Sequence, residues 1–203
     1  MKRVIFILLM LSVHSVISDA YARSDRRLTY GVEWGYIATV QSGYRYIFFP
    51  PEGYRIDVRG NAILYHSNAD MYAHVGYDFN QKWNLSLYLG YAGVHDIHNV
   101  LPMSLRMTRY FKSNKKGDRW LSFIDLGSGI CLKTPVQEIL TGKIGTGYRI
   151  SLSADTKLDF LLSARMTYTH PQIIYDGMVI SHDMVSKNNA YVSALSIGIG
   201  LTF

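Results

Sequence analysis

The chain has 203 residues, carries a formal net charge of +6, and is 48% hydrophobic with 13% aromatic residues. A single domain is the expectation for that length, and a mild positive bias without a dense basic run argues against a nucleic-acid partner. The lone cysteine, Cys131, excludes an intramolecular disulfide framework, so the fold must be held by packing or by its solvent.

At the N-terminus Lys2 and Arg3 precede an apolar run over 4–13, and the segment closes on Ala20, Tyr21 and Ala22. These are the charged, apolar and small-residue parts of a secretory signal peptide. The apolar run is too short for a spanning helix, which takes about 20 residues. Cleavage is expected after Ala22, leaving 1–22 as the leader and 23–203 as the mature domain. Loss of Lys2, Arg3 and Asp19 lowers the net charge by one.

Beyond the leader, period-two alternation rich in Tyr, Ile, Val, Leu and Thr predicts strands. They run over 28–40, 70–79, 83–94, 103–112, 120–132, 141–152, 158–169 and 190–203. The connections 80–82, 113–119 and 153–157 are short and polar, 41–69 and 170–189 are long, and 95–102 and 133–140 are intermediate. Short turns at one end and longer loops at the other are what an up-and-down barrel in an outer membrane has.

The two faces of each strand decide what surrounds it. On the third strand Trp83, Leu85, Leu87, Leu89 and Tyr91 alternate with Asn84, Ser86, Tyr88, Gly90 and Ala92. On the last, Tyr191, Ser193, Leu195, Ile197, Ile199, Leu201 and Phe203 alternate with small uncharged residues, Gly198 and Gly200 among them. A soluble barrel would carry Lys, Glu and Asp on its outer face, whereas aliphatic bands bracketed by aromatics suit lipid. The fold class is therefore all-β, an eight-stranded antiparallel up-and-down transmembrane barrel. In that register Glu33, Asp78, Arg106, Asp125, Lys143, Arg149, Asp159 and Arg165 all face inward. Both signs are present, so a buried network of ion pairs closing the lumen is expected, since isolated charges there would cost several kcal/mol each. Arg109 faces lipid, near a strand end from which it can reach the headgroups.

With these features the chain resembles small outer-membrane barrels of Gram-negative bacteria, of the OmpA/OmpX-like type, and the run "NQKWNLSLYLGYAG" at 80–93 resembles barrel proteins of Bacteroidetes. The resemblance implies an outer-membrane location, and it implies that the alternating C-terminal strand ending in Phe203 is a recognition signal for the barrel-assembly machinery. Outer-membrane lipids are the other expected partners, and a monomer is the expected state.

Residues that carry chemistry are sparse. Tyr65-His66-Ser67-Asn68-Ala69 resembles the His-x-Ser-Asn motif of lipid A deacylases, in which Ser is the nucleophile and His its base. Here His66 and Ser67 are adjacent, so on a strand they point to opposite faces; a polar loop end leading into the second strand is the favoured reading. His95 and His98 have a chelating spacing that His170 or His182 could complete, but solvated loop histidines are the expectation, with no metal and no cofactor. The first long loop concentrates Tyr44, Arg45, Tyr46, Phe48, Phe49, Tyr54 and Arg55, a mixture enriched at recognition surfaces. Its start could equally extend the first strand past the membrane. The expected function is non-enzymatic, in envelope integrity or surface binding through the longer loops; a lipid-modifying hydrolase and a narrow channel are the alternatives.

Overall fold

The computed structural model describes residues 27–50, 53–94, 98–111, 117–131, 138–171 and 173–203. The expected leader and its cleavage point, His95, and parts of the connections 41–69, 95–102, 113–119, 133–140 and 170–189 lie outside them. The alternation resolves into β1 (Leu28–Phe48), β2 (Ile56–Asp78), β3 (Trp83–Val94), β4 (His98–Tyr110), β5 (Arg119–Cys131), β6 (Glu138–Ser151), β7 (Lys157–Thr169), β8 (Ile174–Tyr175), β9 (Met178–Val179) and β10 (Val185–Thr202). A 3-10 turn, His182–Met184, leads into β10.

Eight of these strands close a barrel in the order β1-β10-β7-β6-β5-β4-β3-β2, all neighbours antiparallel. β8 and β9 form a separate small hairpin. Closure runs from Gly31 opposite Thr202 up to Phe48 opposite Val185, which leaves the barrel no open edge and satisfies its backbone without water. At the lower end Tyr30 and Phe203 exchange backbone hydrogen bonds of 3.2 and 2.7 Å, and their rings stack at 5.7 Å. In two of the lower turns side chains stand in for backbone. Asn80 Oδ1 accepts from the N–H groups of Lys82 and Trp83 at 2.8 and 3.0 Å, and Ser153 Oγ accepts from those of Asp155 and Thr156.

The upper end corrects the expected strand limits. Most of 41–69 is strand rather than loop: β1 and β2 run on together past the barrel and are joined by an early-starting β10, so that Arg45 pairs with both Arg59 and Asn189. The reason is a β-bulge. Val40 has no register partner on either side, and the ladder resumes at Gln41. One extra residue exchanges the faces of a strand. Below the bulge Glu33, Ile37 and Thr39 point inward; above it Tyr44, Tyr46 and Phe48 do. Alternation counted straight through residue 40 breaks there. Small residues hold the extension flat: the Tyr44 ring lies on Gly60 and the Tyr191 ring on Gly43, where a Cβ would come within 2.4 Å of each. Phe48 packs with Ile173 and Ile180, against Tyr46, Ile56, Val58 and Tyr175, so the segment that carries β8 and β9 folds onto the inner face of this three-stranded tip.

The outside of the barrel is an aliphatic belt. Leu105 on β4, Leu126 on β5, Ile144 on β6, Leu162 on β7 and Ile197 on β10 are each half or more exposed. Tyr36, Tyr91, Tyr168 and Tyr191 border the belt above, and Tyr77, Trp83, Phe111, Trp120 and Tyr148 border it below. A continuous apolar surface of this extent has no counterpart on monomers in water, where patches stay at a few hundred Å². In a bilayer it matches its solvent.

Candidate functional site

The lumen is built from alternate residues of all eight strands. Arg106, from the middle of β4, is its centre and is 2% exposed. Its Nε and Nη2 donate to Asp125 Oδ2 at 3.1 and 3.0 Å, and Nη1 and Nη2 donate to the two Glu33 oxygens at 2.5 and 3.1 Å. Nη1 also donates to Tyr88 Oη at 3.1 Å, and the guanidinium lies 4.0 Å from the Tyr88 ring centroid and 4.3 Å from that of Phe123. One layer up, Lys143 and Arg165 face each other across β6 and β7 and share Asp70 Oδ2 at 3.4 and 3.6 Å. Three carboxylates, Glu33, Asp70 and Asp125, thus meet three cations, Arg106, Lys143 and Arg165, and the cluster is neutral. Below it Arg149 forks onto Asp159 with two bonds of 2.6 Å, and Asn84 Nδ2 donates to Asp78 at 2.9 Å. Gly200 lies opposite both Glu33 and Asp159. Each of the eight charged residues expected inside is buried.

The sequence reading did not place Asp70, His74 or Arg119 in this network. Asp70 stood at the start of a segment and Arg119 inside a turn, although Asp70 has the same parity on β2 as Asp78. His74 stacks on Tyr88 at 4.7 Å. Arg119 lies 3.7 Å from the Tyr110 ring centroid and donates to the Gln81 carbonyl at 3.1 Å. Among the described residues the lumen holds a cavity of about 20 Å³ lined by Glu33, His74, Tyr88, Arg106, Arg149 and Asp159, among others. That is room for about one water.

The tip divides the loop residues singled out by composition. Tyr44 and Tyr46, stacked at 4.8 Å, share the inner face with Phe48. Arg45 takes the outer face, where its Nη2 donates to Asp57 Oδ2 at 3.1 Å while Arg59 Nη2 donates to the same atom at 3.2 Å. The hydrogen bonds from Arg45, then Arg59, hold the Asp57 carboxyl well below the usual carboxylate range. The stabilisation this bridge contributes is complete above an ordinary carboxylate pKa and is lost only in strongly acidic solution. Phe49, Tyr54 and Arg55 are exposed beyond the ladder, with Tyr54 Oη 3.2 Å from Tyr175 Oη.

His66 and Ser67 lie within β2, opposite Thr39 and Ala38, not in a loop end before it. As neighbours on a strand they project to opposite faces, with Ser67 exposed and His66 half-buried, so the fold does not bring nucleophile and base together. Of the histidines considered as ligands, His95 is outside the described residues, and His170 is exposed, bonded through Nδ1 to the Asn188 carbonyl and edge-on to Tyr168 at 5.0 Å. Among the described residues no group of three or more His, Cys, Asp or Glu side chains could hold a metal. Arg109 is exposed on the lipid side near the lower end, 5.5 Å from the Trp83 ring centroid.

No protein-family model and no curated protein matches the chain. Solved structures do. Neisserial surface protein A superposes with a TM-score of 0.50 at 10% identity over 89% of this chain and 100% of that one. The outer membrane protein OprG from Pseudomonas aeruginosa gives 0.48 at 12% identity over 86% and 95%. At such identities the likeness concerns the fold. The closed eight-stranded fold, its continuous aliphatic belt and the aromatic borders of that belt suit a bilayer, and they identify the chain as a small eight-stranded β-barrel protein of the outer membrane.

Proposed function

We propose that the protein is a non-enzymatic outer-membrane barrel with a closed lumen, whose working surface is the tip formed by β1, β2 and β10, serving surface binding or envelope integrity. The observation that carries this reading is the filled interior. Ion pairs cross it at several heights, and the cavity among them, about 20 Å³, has room for about one water. A rigid scaffold with its interior closed leaves function to what protrudes from it. The separation of His66 from Ser67 on opposite faces of β2 weighs against the hydrolase reading. Within the same proposal, β10 is the element read by the assembly machinery, and complete edge pairing favours a monomer.

Planar-bilayer recording tests it. Purified, folded protein is expected to give no discrete conductance steps under applied voltage. Reproducible single-channel steps from the folded form would overturn the closed-lumen reading in favour of a narrow channel.

A further inference from the structure

We propose that the outward face of the tip, together with a dent in the belt beneath it, holds a phosphorylated, multiply acylated lipid of the outer leaflet. The inference rests on the tip pointing away from the cell, and it names a partner for that surface. The first observation is charge. Arg45 and Arg59 sit directly opposite each other on the β1–β2 ladder, an arrangement of like charges that costs a sheet stability. Lys187 stands one pair further out, across Ile47 from Asp57. On this face of the three strands Asp57 is the one carboxylate, so the patch keeps two net positive charges. Both arginines spend Nε and Nη2 on Asp57, and Nη1 of each takes no part in that bridge. Their side chains are 36% and 64% exposed.

The second observation is a hollow in the belt. Gly142, Ala164 and Ser193 lie among Leu126, Ile144, Met166 and Leu195 and leave an outward groove of about 570 Å³, within the size range of ligand sites. The glycine is not required by packing, because a Cβ at 142 would meet its nearest neighbour, Leu126, at an ordinary 3.5 Å. A side chain is simply missing where lipid tails pass.

The third observation joins the two. Val40 and Ser193 line the groove, and the same two strands carry Arg45 and Lys187 five and six residues further out. At about 3.3 Å per residue along a strand the cations stand roughly 17–20 Å beyond the groove. Tyr191 lies between, laid over Gly43 at the height where aromatic rings mark the interface. Groove, ring and cations therefore follow the order of acyl chain, glycerol or sugar backbone, and phosphate. Guanidinium groups suit phosphate.

Native mass spectrometry of the folded full-length barrel, released from detergent after incubation with bisphosphorylated hexa-acylated lipid A, phosphatidylcholine or inorganic phosphate, tests the assignment. Lipid A is expected to remain bound one to one and phosphatidylcholine to be lost. The variant Arg45→Gln/Arg59→Gln/Lys187→Gln is expected to lower lipid A retention at least tenfold, and Gly142→Leu, which fills the groove, several-fold, both keeping the gel shift of the folded barrel on boiling. Equal retention of phosphatidylcholine, unchanged retention by the triple variant, or release of lipid A by inorganic phosphate at millimolar concentration would each overturn it. Loss of lipid binding would leave the non-conducting barrel untouched, and a conducting barrel could still retain the lipid, so the two readings fail separately.

Discussion

Arg106→Ala is expected to destabilise the barrel by about 3–5 kcal/mol, the range seen when one member of a buried charge cluster is removed. Its guanidinium serves two carboxylates, Glu33 and Asp125, which are 8% and 1% exposed in their side chains. Without it both would be buried acceptors with no cation, and two aromatic rings, of Tyr88 and Phe123, would lose the group stacked between them. Urea unfolding in lipid vesicles, followed by tryptophan fluorescence, reads the loss as a lowered midpoint. The companion variant Arg106→Met/Glu33→Gln removes one charge of each sign, so the cluster stays neutral with Asp125 opposite Lys143 on the β5–β6 ladder, and it is expected to recover a large part of the stability, because neutral polar groups cost less to bury than unpaired ions. A single alanine variant that unfolds like the native protein would mean that the lumen is wet and the network is not what closes it.

Leu105→Arg is the second large effect. Leu105 lies mid-strand on β4, paired with Leu87 and Leu126, at the middle of the belt and half exposed. On a soluble protein an exposed Leu→Arg exchange falls within about 0.5 kcal/mol of neutral. At the midplane of a bilayer it costs about 2–4 kcal/mol. Arg109, four residues along the same face, shows the contrast: close to the lower border it rests near the Trp83 and Phe111 rings and can reach headgroups. The same vesicle unfolding experiment separates the alternatives, and a midpoint unchanged by Leu105→Arg would remove the membrane from the account of this belt.

The membrane-crossing strands were legible in the sequence because lipid imposes a strict rule on every second residue. Leu85, Leu87 and Leu89 cannot be exchanged with Ser86 or Tyr88 without placing polarity in hydrocarbon. The tip obeys no such rule. Both of its faces leave the bilayer, Gly43 and Gly60 interrupt its alternation, and the bulge at Val40 reverses its parity, so a continuous ladder reads as a loop. Parity also identified the charged lining of the lumen but not its pairing. Arg106 and Glu33 are 73 positions apart and meet across the interior of the closed barrel. The stretch from Tyr44 to Arg55 drew attention through composition, yet composition could not tell that Tyr44 and Arg45 serve different faces. For His66 and Ser67 adjacency alone was informative, since neighbours on a strand diverge.

Val40 puts the tip of β1 out of frame with the barrel that carries it. With that residue deleted, Arg45 would turn inward beneath the folded-over segment, and Tyr44, Tyr46 and Phe48 would be turned out, without any change in their order along the chain. A one-codon insertion or deletion at this point therefore acts like a phase inversion, replacing the outward cationic display with an aromatic one in a single step. Sequences of such barrels aligned without regard to that position would compare inner residues of one tip with outer residues of another.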